Sequence, residues 1–536
     1  MNRLLFGDNL KWLRDPKVFA DGSVDLVYLD PPFNSNANYN VLFKEASGAA
    51  SEAQFHAFTD TWEWTAEVDA TYAEFIDTCA NVAVVELAEA LKKFLKTSPM
   101  MAYLAMMAPR LVELHRVLKP TGSLYLHCDP TASHYLRMVL DGIFGARNFR
   151  NEIIWKKTNS PKPQSRYFGE QHDVIFFYTR SDAAPFEKIY APLTEKQAGV
   201  FSHADERGRF QTVNIIAAGL QKYEGRKEYE FRGVKKAWLY SKEKMAELWE
   251  QGLLHPTPGG AYRKKIYLED TAGSLVSDLW VNGDVKPMQG GSAESLGYPT
   301  QKPVALMERI ITASCPKDGV VLDPFCGCGT TVHAAQKLGR AWVGIDVTYL
   351  AINLIKQRLR DAFPKGLKFE EKGQPEDAAG ARRLAELDKF QFQHWALSLV
   401  GARPLREGGG KGADRGVDGL LYFYESKDER AKLIVQVKGG GVKRSDIATL
   451  LGDVANQQAA GGVLLTLEPP TKAMNKEVVD AGRYRAKLWP TEFPKLQILT
   501  IAGLLDGSER LNAPPSASAF ARAEVEGTAE KQTELL

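Results

Sequence analysis

The stretch "VDLVYLDPPF" (residues 24–33) combines an apolar run with a rigid, acidic turn. The apolar run predicts a buried strand of a parallel sheet, because such strands are almost continuously hydrophobic. Asp30 follows it, and Pro31 and Pro32 then fix the backbone and remove two N–H donors. Phe33 adds a flat apolar face. Because ligands of open α/β sheets bind at the carboxyl ends of strands, this turn suits a planar molecule that carries an amino group. The alternative interpretation is a plain strand exit.

The surrounding sequence alternates between strand and helix patterns. "GSLYLHCD" (residues 122–129) predicts a strand, and "TASHYLRMVLDGIFG" (residues 131–145) predicts an amphipathic helix that ends at Gly145. The same alternation resumes at Tyr298. Alternating strands and helices predict an α/β fold whose parallel sheet is covered on both faces.

Length and composition limit the class of protein. The chain has 536 residues, 44% of them hydrophobic and 25% charged, which is typical of soluble proteins with two or three domains. No apolar run reaches the roughly 18 residues of a membrane helix. Five scattered cysteines favour a reducing, cytoplasmic location. The net charge of +2 neither implies nor excludes DNA, but residues 150–166 carry five Lys/Arg against one acid.

Changes in composition predict the domain organisation. The α/β pattern occupies residues 1–155 and 291–370, and an irregular, basic and aromatic region at 156–290 interrupts it. A polar linker at 371–383, a second α/β unit at 384–510 and a disordered Pro/Ala/Ser/Glu-rich tail at 511–536 follow.

A glycine loop forms the second candidate site. In "VVLDPFCGCGTTVHAA" (residues 320–335), Gly327 and Gly329 lie between a predicted strand and a predicted helix. Glycine lets the backbone approach a ligand closely, and the helix N-terminus offers unpaired N–H groups. Asp346 ends the next strand, where an acid can accept hydrogen bonds from ribose hydroxyls. A tight structural turn is the alternative. Cys326 and Cys328 have no second Cys/His cluster nearby, which disfavours a metal site.

Taken together, these motifs resemble the amino-group DNA methyltransferases, which use S-adenosyl-L-methionine. The matching stretches are "GDNL" (7–10), "DPPF" (30–33), "GSLYLHCD" (122–129), "NEIIWKK" (151–157), "YPTQKP" (298–303) and "DPFCGCGTT" (323–331). The acidic turn precedes the glycine loop, which is the permuted order of the β group, as in the modification subunits of type III restriction systems. The resemblance covers roughly residues 1–365 and implies a Rossmann-like fold, with the "VVLD" and "LVYLD" strands adjacent and a target-recognition region inserted at 156–290.

The resemblance also implies roles for individual residues. Asp30 and the Pro31 carbonyl would accept the hydrogens of the target amine, Pro32 would stiffen the turn, and Phe33 would stack on a base flipped out of the duplex. The aspartate favours adenine N6 over cytosine N4. The implied cofactor-binding residues are Asp8, Thr300, Lys302, Pro303, Asp323, Phe325, Gly327, Gly329, Thr330 and Asp346. Candidate DNA contacts are Lys156, Lys157, Lys162, Arg166 and Tyr167.

The C-terminal unit carries a different constellation. Asp418 precedes a predicted strand, and the next strand ends in Gln436 and Lys438. These stretches resemble the Mrr-like branch of the PD-(D/E)XK nucleases, in which Asp418 and Gln436 would hold Mg²⁺ and Lys438 would stabilise the transition state. Relatives often place a glutamate where this chain has Gln393. A catalytically silent DNA-binding domain is therefore the competing interpretation.

The sequence thus predicts a site-specific adenine-N6 methyltransferase of a restriction–modification system that acts on double-stranded DNA, with Mg²⁺-dependent cleavage by the C-terminal domain left open. A homodimer and a separate restriction subunit are open as partners, and no membrane association is expected. Two other hypotheses compete with this one. They are a cytosine-N4 methyltransferase whose C-terminal domain only binds DNA, and a nuclease whose methyltransferase half is a sensor.

Overall fold

The computed structural model describes residues 2–32, 63–159, 168–217, 228–281, 285–288, 292, 294–296, 298, 300–404, 416–425, 430–488, 491–514 and 526. Contacts divide the chain into two compact units. The first combines Met1–Glu187 with Asp278–Leu536, and the second is Lys188–Ser277. None of the helices in these residues is long and apolar enough to cross a membrane.

The N-terminal part of the first unit alternates strands and helices. Its strands are β1 (Arg3–Phe6), β2 (Val24–Leu29), β3 (Leu118–Cys128), β4 (Phe149–Lys156) and β5 (His172–Thr179). Its helices are α1 (Asn9–Arg14), α2 (Ala66–Thr78), α3 (Val82–Leu95), α4 (Pro99–Val117) and α5 (Pro130–Phe144), with a 3₁₀ turn at Ala146–Asn148. The acids that follow two of the strands also cap helices. Asp8 accepts a hydrogen bond from the N–H of Leu10, and Asp129 accepts one from Ala132, which satisfies otherwise unpaired helical donors.

The second unit is built from short strands. They are β6 (Tyr190–Ala191), β7 (His203–Asp205), β8 (Gly208–Asn214), β9 (Tyr229–Phe231), β10 (Val234–Lys236), β11 (Leu254–Pro256), β12 (Tyr262–Tyr267) and β13 (Ser274–Leu275), with helices α6 (Glu195–Gly199) and α7 (Lys242–Glu250). Four of them form an antiparallel sheet in the order β11, β12, β8, β7. This unit lies inside the predicted insertion but is shorter than 156–290. The boundary requires correction because the apolar strand β5 pairs with β3 and β4 of the first unit.

The first unit resumes with β14 (Leu279–Trp280), α8 (Val304–Ser314), β15 (Val320–Asp323), α9 (Thr330–Lys337), β16 (Ala341–Asp346), α10 (Tyr349–Ala362) and β17 (Glu370–Lys372). Nine of the described strands form one sheet in the order β14, β4, β5, β3, β2, β15, β16, β1, β17. β15 pairs in parallel with both β2 and β16. The predicted α/β fold and the predicted adjacency of the "LVYLD" and "VVLD" strands are thereby confirmed.

The core of this sheet forms around β2, which is buried along its whole length. Its side chains belong to an apolar cluster with residues of α4 and α5, among them Leu111, Leu114 and Leu136, each of which is fully buried. Because β2 is covered on both faces, little freedom remains for the strand end that carries Asp30.

The C-terminal part contains α11 (Ala378–Leu387), α12 (Lys389–Leu399), β18 (Arg403–Pro404), β19 (Gly419–Tyr424), β20 (Arg430–Lys438), α13 (Arg444–Asn456), β21 (Gly461–Thr466), α14 (Lys472–Asp480), β22 (Arg483–Arg485), β23 (Glu492–Pro494), β24 (Leu496–Thr500) and α15 (Ile501–Asp506). Its described strands include a five-stranded sheet in the order β18, β19, β20, β21, β24. Helix α12 packs on one face of this sheet, and α13 and α14 pack on the other. The predicted second α/β domain is confirmed.

The predicted linker at 371–383 is wrong as a description of the structure. β17 extends the large sheet by pairing with β1, and α11 packs into the C-terminal core through Ala381 and Ala385. A polar composition hid both elements, because an edge strand and a surface helix each bury few side chains. Tyr349 stacks on Phe6 at 3.7 Å and belongs to the C-terminal cluster. Of the predicted disordered tail, only 511–514 and Glu526 lie within the described residues.

Candidate active site

Three acidic residues occupy the ends of adjacent parallel strands. Asp30 follows β2, and Asp323 and Asp346 end β15 and β16. Because these strands are neighbours in the sheet, the three carboxyl groups gather at one edge. Burial, with smaller contributions from the charges of Asp30 and Asp346, raises the pKa of Asp323 to about 7. Burial also raises the pKa of Asp346.

The Asp30 turn is held by a lysine from the other half of the fold. Lys302 Nζ donates to Asp30 Oδ2 at 2.5 Å, and the two side chains are only 11% and 17% exposed. Pro31 and Pro32 follow, outside any helix or strand. Phe33 lies outside the described residues. The ion pair compensates the charge of a carboxylate that is largely removed from water.

Lys302 also connects the turn to the glycine loop. Its backbone carbonyl accepts a hydrogen bond from Thr330 Oγ1 at 3.3 Å, and its ammonium lies 3.4 Å from the Thr300 carbonyl. Pro303 follows as the N-terminal cap of α8. One short segment therefore contacts both motifs that the sequence singled out.

The glycine loop has the conformation that its composition predicts. Gly327 and Gly329 have φ angles of +47° and +76°, a region that other residues rarely adopt. The N–H of Gly327 donates to Asp346 Oδ2 at 2.9 Å. A Cβ on Gly329 would lie 2.7 Å from the Cγ1 of Ile355, so α10 packs directly against the loop. Phe325 packs against the core, and its N–H donates to Asp323 Oδ1 at 3.0 Å.

An arginine that the sequence did not reveal holds the "GDNL" motif. Arg110 donates to Asp8 Oδ1 at 2.8 Å and to Asn9 Oδ1 at 2.6 Å, and Asn9 in turn donates to the Pro324 carbonyl at 2.7 Å. Arg110 is 8% exposed. This network joins Asp8 to the turn after β15. The sequence does not identify Asp8 as the partner of Arg110, because about a hundred residues separate the two.

A second buried arginine donates hydrogen bonds to the glycine loop. Arg358 is 2% exposed and donates to the Cys328 carbonyl at 3.2 Å and to Thr330 Oγ1 at 3.1 Å. Here the sequence carried a signal, because Arg358 occupies the apolar face of "YLAINLIKQRL" (residues 349–359). An arginine at such a position requires buried acceptors.

The predicted DNA contacts are only partly described. Lys162, Arg166 and Tyr167 lie outside the described residues. Lys157 points inward, since its ammonium donates to Asp173 Oδ1 at 2.9 Å. Lys156, the last residue of β4, is partly exposed.

The predicted nuclease residues lie close together, but each of them is already hydrogen-bonded or ion-paired to another group of the protein. Gln393 Nε2 donates to Asp418 Oδ1 at 2.5 Å, and the Val437 N–H donates to Asp418 Oδ2 at 2.6 Å. Gln436 is 2% exposed and donates to Asp453 Oδ2 at 3.0 Å. Lys438 pairs with Asp446 at 3.4 Å.

This donor set does not fit a Mg²⁺ site. Mg²⁺ needs oxygen ligands in near-ideal octahedral geometry, and the one or two carboxylates that usually bind it must direct an oxygen at the ion. Asp418 is the one carboxylate among the four predicted positions, and both of its oxygens already accept N–H donors. Among the described residues, no group of three or more His, Cys, Asp or Glu side chains could hold a metal ion.

Comparison with known proteins is consistent with two unequal parts. Residues 391–506 match the family model described as NACHT-associated inactive Restriction Endonuclease 1. Over 363 residues the chain is 28% identical to the type II methyltransferase M.EcaI of Enterobacter cloacae, covering 67% of this chain and 69% of that protein. It is 27% identical over 356 residues to the StyLTI Mod subunit, a type III restriction-modification enzyme of Salmonella typhimurium. That alignment covers 63% of this chain but only 50% of the relative.

The largest match covers seven of the nine strands of the large sheet, all but β1 and β17. Residues 24–357, more than half of the 536, match the family model described as DNA methylase. This range contains the acidic turn, the Lys302 segment and the glycine loop. The chain therefore belongs to the DNA methylase family.

Proposed function

We propose that this protein transfers a methyl group from S-adenosyl-L-methionine to the N6 amino group of adenine in double-stranded DNA. One observation carries the proposal. The Asp30 turn and the glycine loop follow adjacent parallel strands, and Lys302 contacts both. A base-binding turn and a cofactor loop must meet in this way for one group to pass between their ligands.

The residues present fit the cofactor. Because Gly327 and Gly329 lack Cβ atoms and have positive φ angles, the loop can approach a ligand closely. Asp346 supplies a carboxylate beside the loop for ribose hydroxyls, and Asp8 follows the neighbouring strand β1, which pairs with β16. When bound, the cofactor supplies an electrophilic methyl group on a sulfonium. Thr330 and Phe325 would line the methionine part.

Asp30 and Pro31 carry the chemistry that the protein itself contributes. The lone pair of an exocyclic amine is delocalised into its ring, which makes the nitrogen a poor nucleophile. Asp30 and the Pro31 carbonyl accept the two amine hydrogens and draw the nitrogen toward tetrahedral geometry. Lys302 holds Asp30 through Oδ2, and Oδ1 would be the oxygen that accepts from the amine. Positioning and a preorganised field provide most of the acceleration. Phe33, by the family resemblance, stacks on the flipped base.

We propose that the C-terminal domain does not cleave DNA. Asp418 is the one carboxylate at the positions of the resemblance, where Gln393 and Gln436 replace acids. This supports a silent domain, and so does the description of the matching family as inactive. Restriction would then require a separate subunit. A nuclease activity of this chain is the second candidate, supported by the proximity of Asp418, Gln436 and Lys438.

Methyl transfer to unmodified bacterial DNA tests the proposal. The full chain is incubated with labelled S-adenosyl-L-methionine, and the DNA is digested to nucleosides that are identified by mass spectrometry. Label in N6-methyladenine that disappears in Asp30→Ala supports the proposal. Label in N4-methylcytosine would keep the mechanism and overturn the base, and absence of label from cofactor-bound protein would refute the proposed activity. Plasmid DNA with Mg²⁺ in a parallel reaction should remain uncut.

A further inference from the structure

A chain of hydrogen bonds crosses four neighbouring strands beside the Asp30 turn. Tyr28 Oη lies 3.0 Å from His127 Nδ1, and His127 Nε2 lies 3.1 Å from Asp173 Oδ2. Lys157 Nζ donates to the other oxygen of Asp173 at 2.9 Å. The four residues belong to β2, β3, β5 and the end of β4, which is the order of these strands in the sheet. This hydrogen-bond network therefore links the four strands across the sheet.

Three members of this hydrogen-bond network are deeply buried. Tyr28, His127 and Asp173 are 2%, 0% and 5% exposed. Burial would raise the pKa of Asp173, but the hydrogen bond from His127 and the charges of His127, Lys157 and Lys302 outweigh it and keep the pKa below its usual range. A buried polar network costs more free energy than an apolar core unless every member is paired. Here each buried member has a partner, so the network fixes these side chains, and with them the strands, in one arrangement.

The directions of the hydrogen bonds are consistent along this network. A carboxylate only accepts, so His127 Nε2–H donates to Asp173, and Nδ1 is the ring nitrogen that meets the Tyr28 hydroxyl. Asp30 directly follows β2 and lies two residues after Tyr28, the spacing at which side chains of a strand share a face. Asp30 is among the charges that raise the pKa of Tyr28 in addition to burial. One end of the network, at Tyr28, is therefore next to the catalytic turn.

Resting on the proposed methyl transfer, we propose that Tyr28, His127 and Asp173 are positioning residues that fix the Asp30–Pro31 turn. Lys302 holds Asp30 from the side of the glycine loop, whereas the network holds its strand from the side of β3, β5 and β4. Catalytic groups need such support, because small displacements of a reacting geometry cost rate rather than affinity. The other end of the network is Lys157, one of the candidate DNA contacts named from the sequence.

Two tyrosines provide a matched test. Tyr28→Phe removes the hydroxyl at the end of the network. Tyr125→Phe removes an equally buried hydroxyl of the same sheet, which bonds to Ser314 Oγ at 2.7 Å. We expect Tyr28→Phe to lower kcat by about 10- to 100-fold, as for a displaced reacting group. The KM for DNA and the Kd for S-adenosyl-L-methionine should stay near wild type. Tyr125→Phe should leave kcat unchanged.

Hydrogen exchange provides a readout that does not depend on activity. In Tyr28→Phe, and in Asp173→Asn, the amides of Leu29 and Asp30 should exchange faster than in Tyr125→Phe. Asp173→Asn keeps the shape of the side chain, so it serves if the tyrosine variant fails to fold. Equal exchange in these variants and in Tyr125→Phe, together with equal kcat values, would overturn the inference. A wild-type protein without methyl transfer would refute the proposed function, while the exchange comparison would still decide the role of the network.

Discussion

Lys302 Nζ lies 2.5 Å from Asp30 Oδ2, although 272 residues separate the two in the sequence. The permuted order of the strands explains why two residues so far apart in the sequence are in contact. The acidic turn ends the second strand of the chain, and its partner arrives only after the inserted unit and before β15. The ion pair therefore forms only when the two halves of the sheet have joined, which links folding of the sheet to assembly of the site.

Loss of the Lys302 charge should reduce methyl transfer strongly. Lys302→Met keeps an unbranched side chain but removes the ion-pair partner of Asp30, whose side chain is only 17% exposed. We expect kcat to fall by roughly 10- to 100-fold, because a misdirected carboxylate no longer accepts from the amine. The measurement is steady-state transfer of labelled methyl groups to DNA.

A second ion-paired lysine is the control for that change. Lys356 pairs with Glu371 at 2.7 Å and is 22% exposed. Lys356→Met should leave kcat near the wild-type value. Equal losses in both variants would mean that general electrostatic destabilisation, and not the contact with Asp30, explains the effect.

Helix α9 offers a matched pair of glycines. Gly329 precedes it with φ +76°, and Gly339 follows it with φ +72°. A Cβ on Gly329 would meet Ile355 at 2.7 Å, whereas the space around Gly339 is open to 4 Å. Both Ala variants carry a backbone cost of about 1–2 kcal/mol. We expect Gly329→Ala alone to weaken binding of S-adenosyl-L-methionine, measured by calorimetry, because α10 must shift and take the loop with it.

The two halves of the site were not equally predictable. The turn at Asp30, the glycine loop and Asp346 could be predicted because each combines a strand pattern with residues of special backbone geometry. The ion pair of Asp8 with Arg110 could not, since about a hundred residues separate the two in the sequence. The strand β17 was missed for a related reason. Its three residues are charged, and only pairing with β1 makes them a strand.

Titration of Asp323 should make stability depend on pH. Its folded-state pKa of about 7 lies above the ordinary 3.8, mainly because the group is buried. The folded protein thus holds this proton more tightly than the unfolded chain. The resulting stabilisation is complete below about pH 3.8 and is lost as the pH rises through about 7. Asp323→Asn removes this titration but keeps an oxygen for the Phe325 N–H.

Thermal unfolding checks the Asp323 prediction between about pH 5.5 and 8. The Tm of the wild type should fall relative to that of Asp323→Asn as the pH rises. Asp318→Asn, a change at an exposed acid, should give a profile parallel to the wild type. If wild type and Asp323→Asn stayed parallel as well, the buried carboxyl would not titrate in this window.

The C-terminal site should gain metal binding from one substitution. Gln393→Glu would place a second carboxylate where an amide now donates to Asp418 Oδ1 at 2.5 Å. Two facing carboxylates repel each other without a cation and bind Mg²⁺ when it is present. We expect Gln393→Glu to unfold at a lower temperature than wild type without Mg²⁺ and to recover with it. At 100 times the Kd the recovery should be about 2.7 kcal/mol. Wild type should not respond to Mg²⁺, and adding Asp418→Asn should abolish the response. A saturable stabilisation of the wild type that Asp418→Asn removes would restore the nuclease hypothesis, because it would mean that Asp418 and Gln436 hold the metal without a further carboxylate.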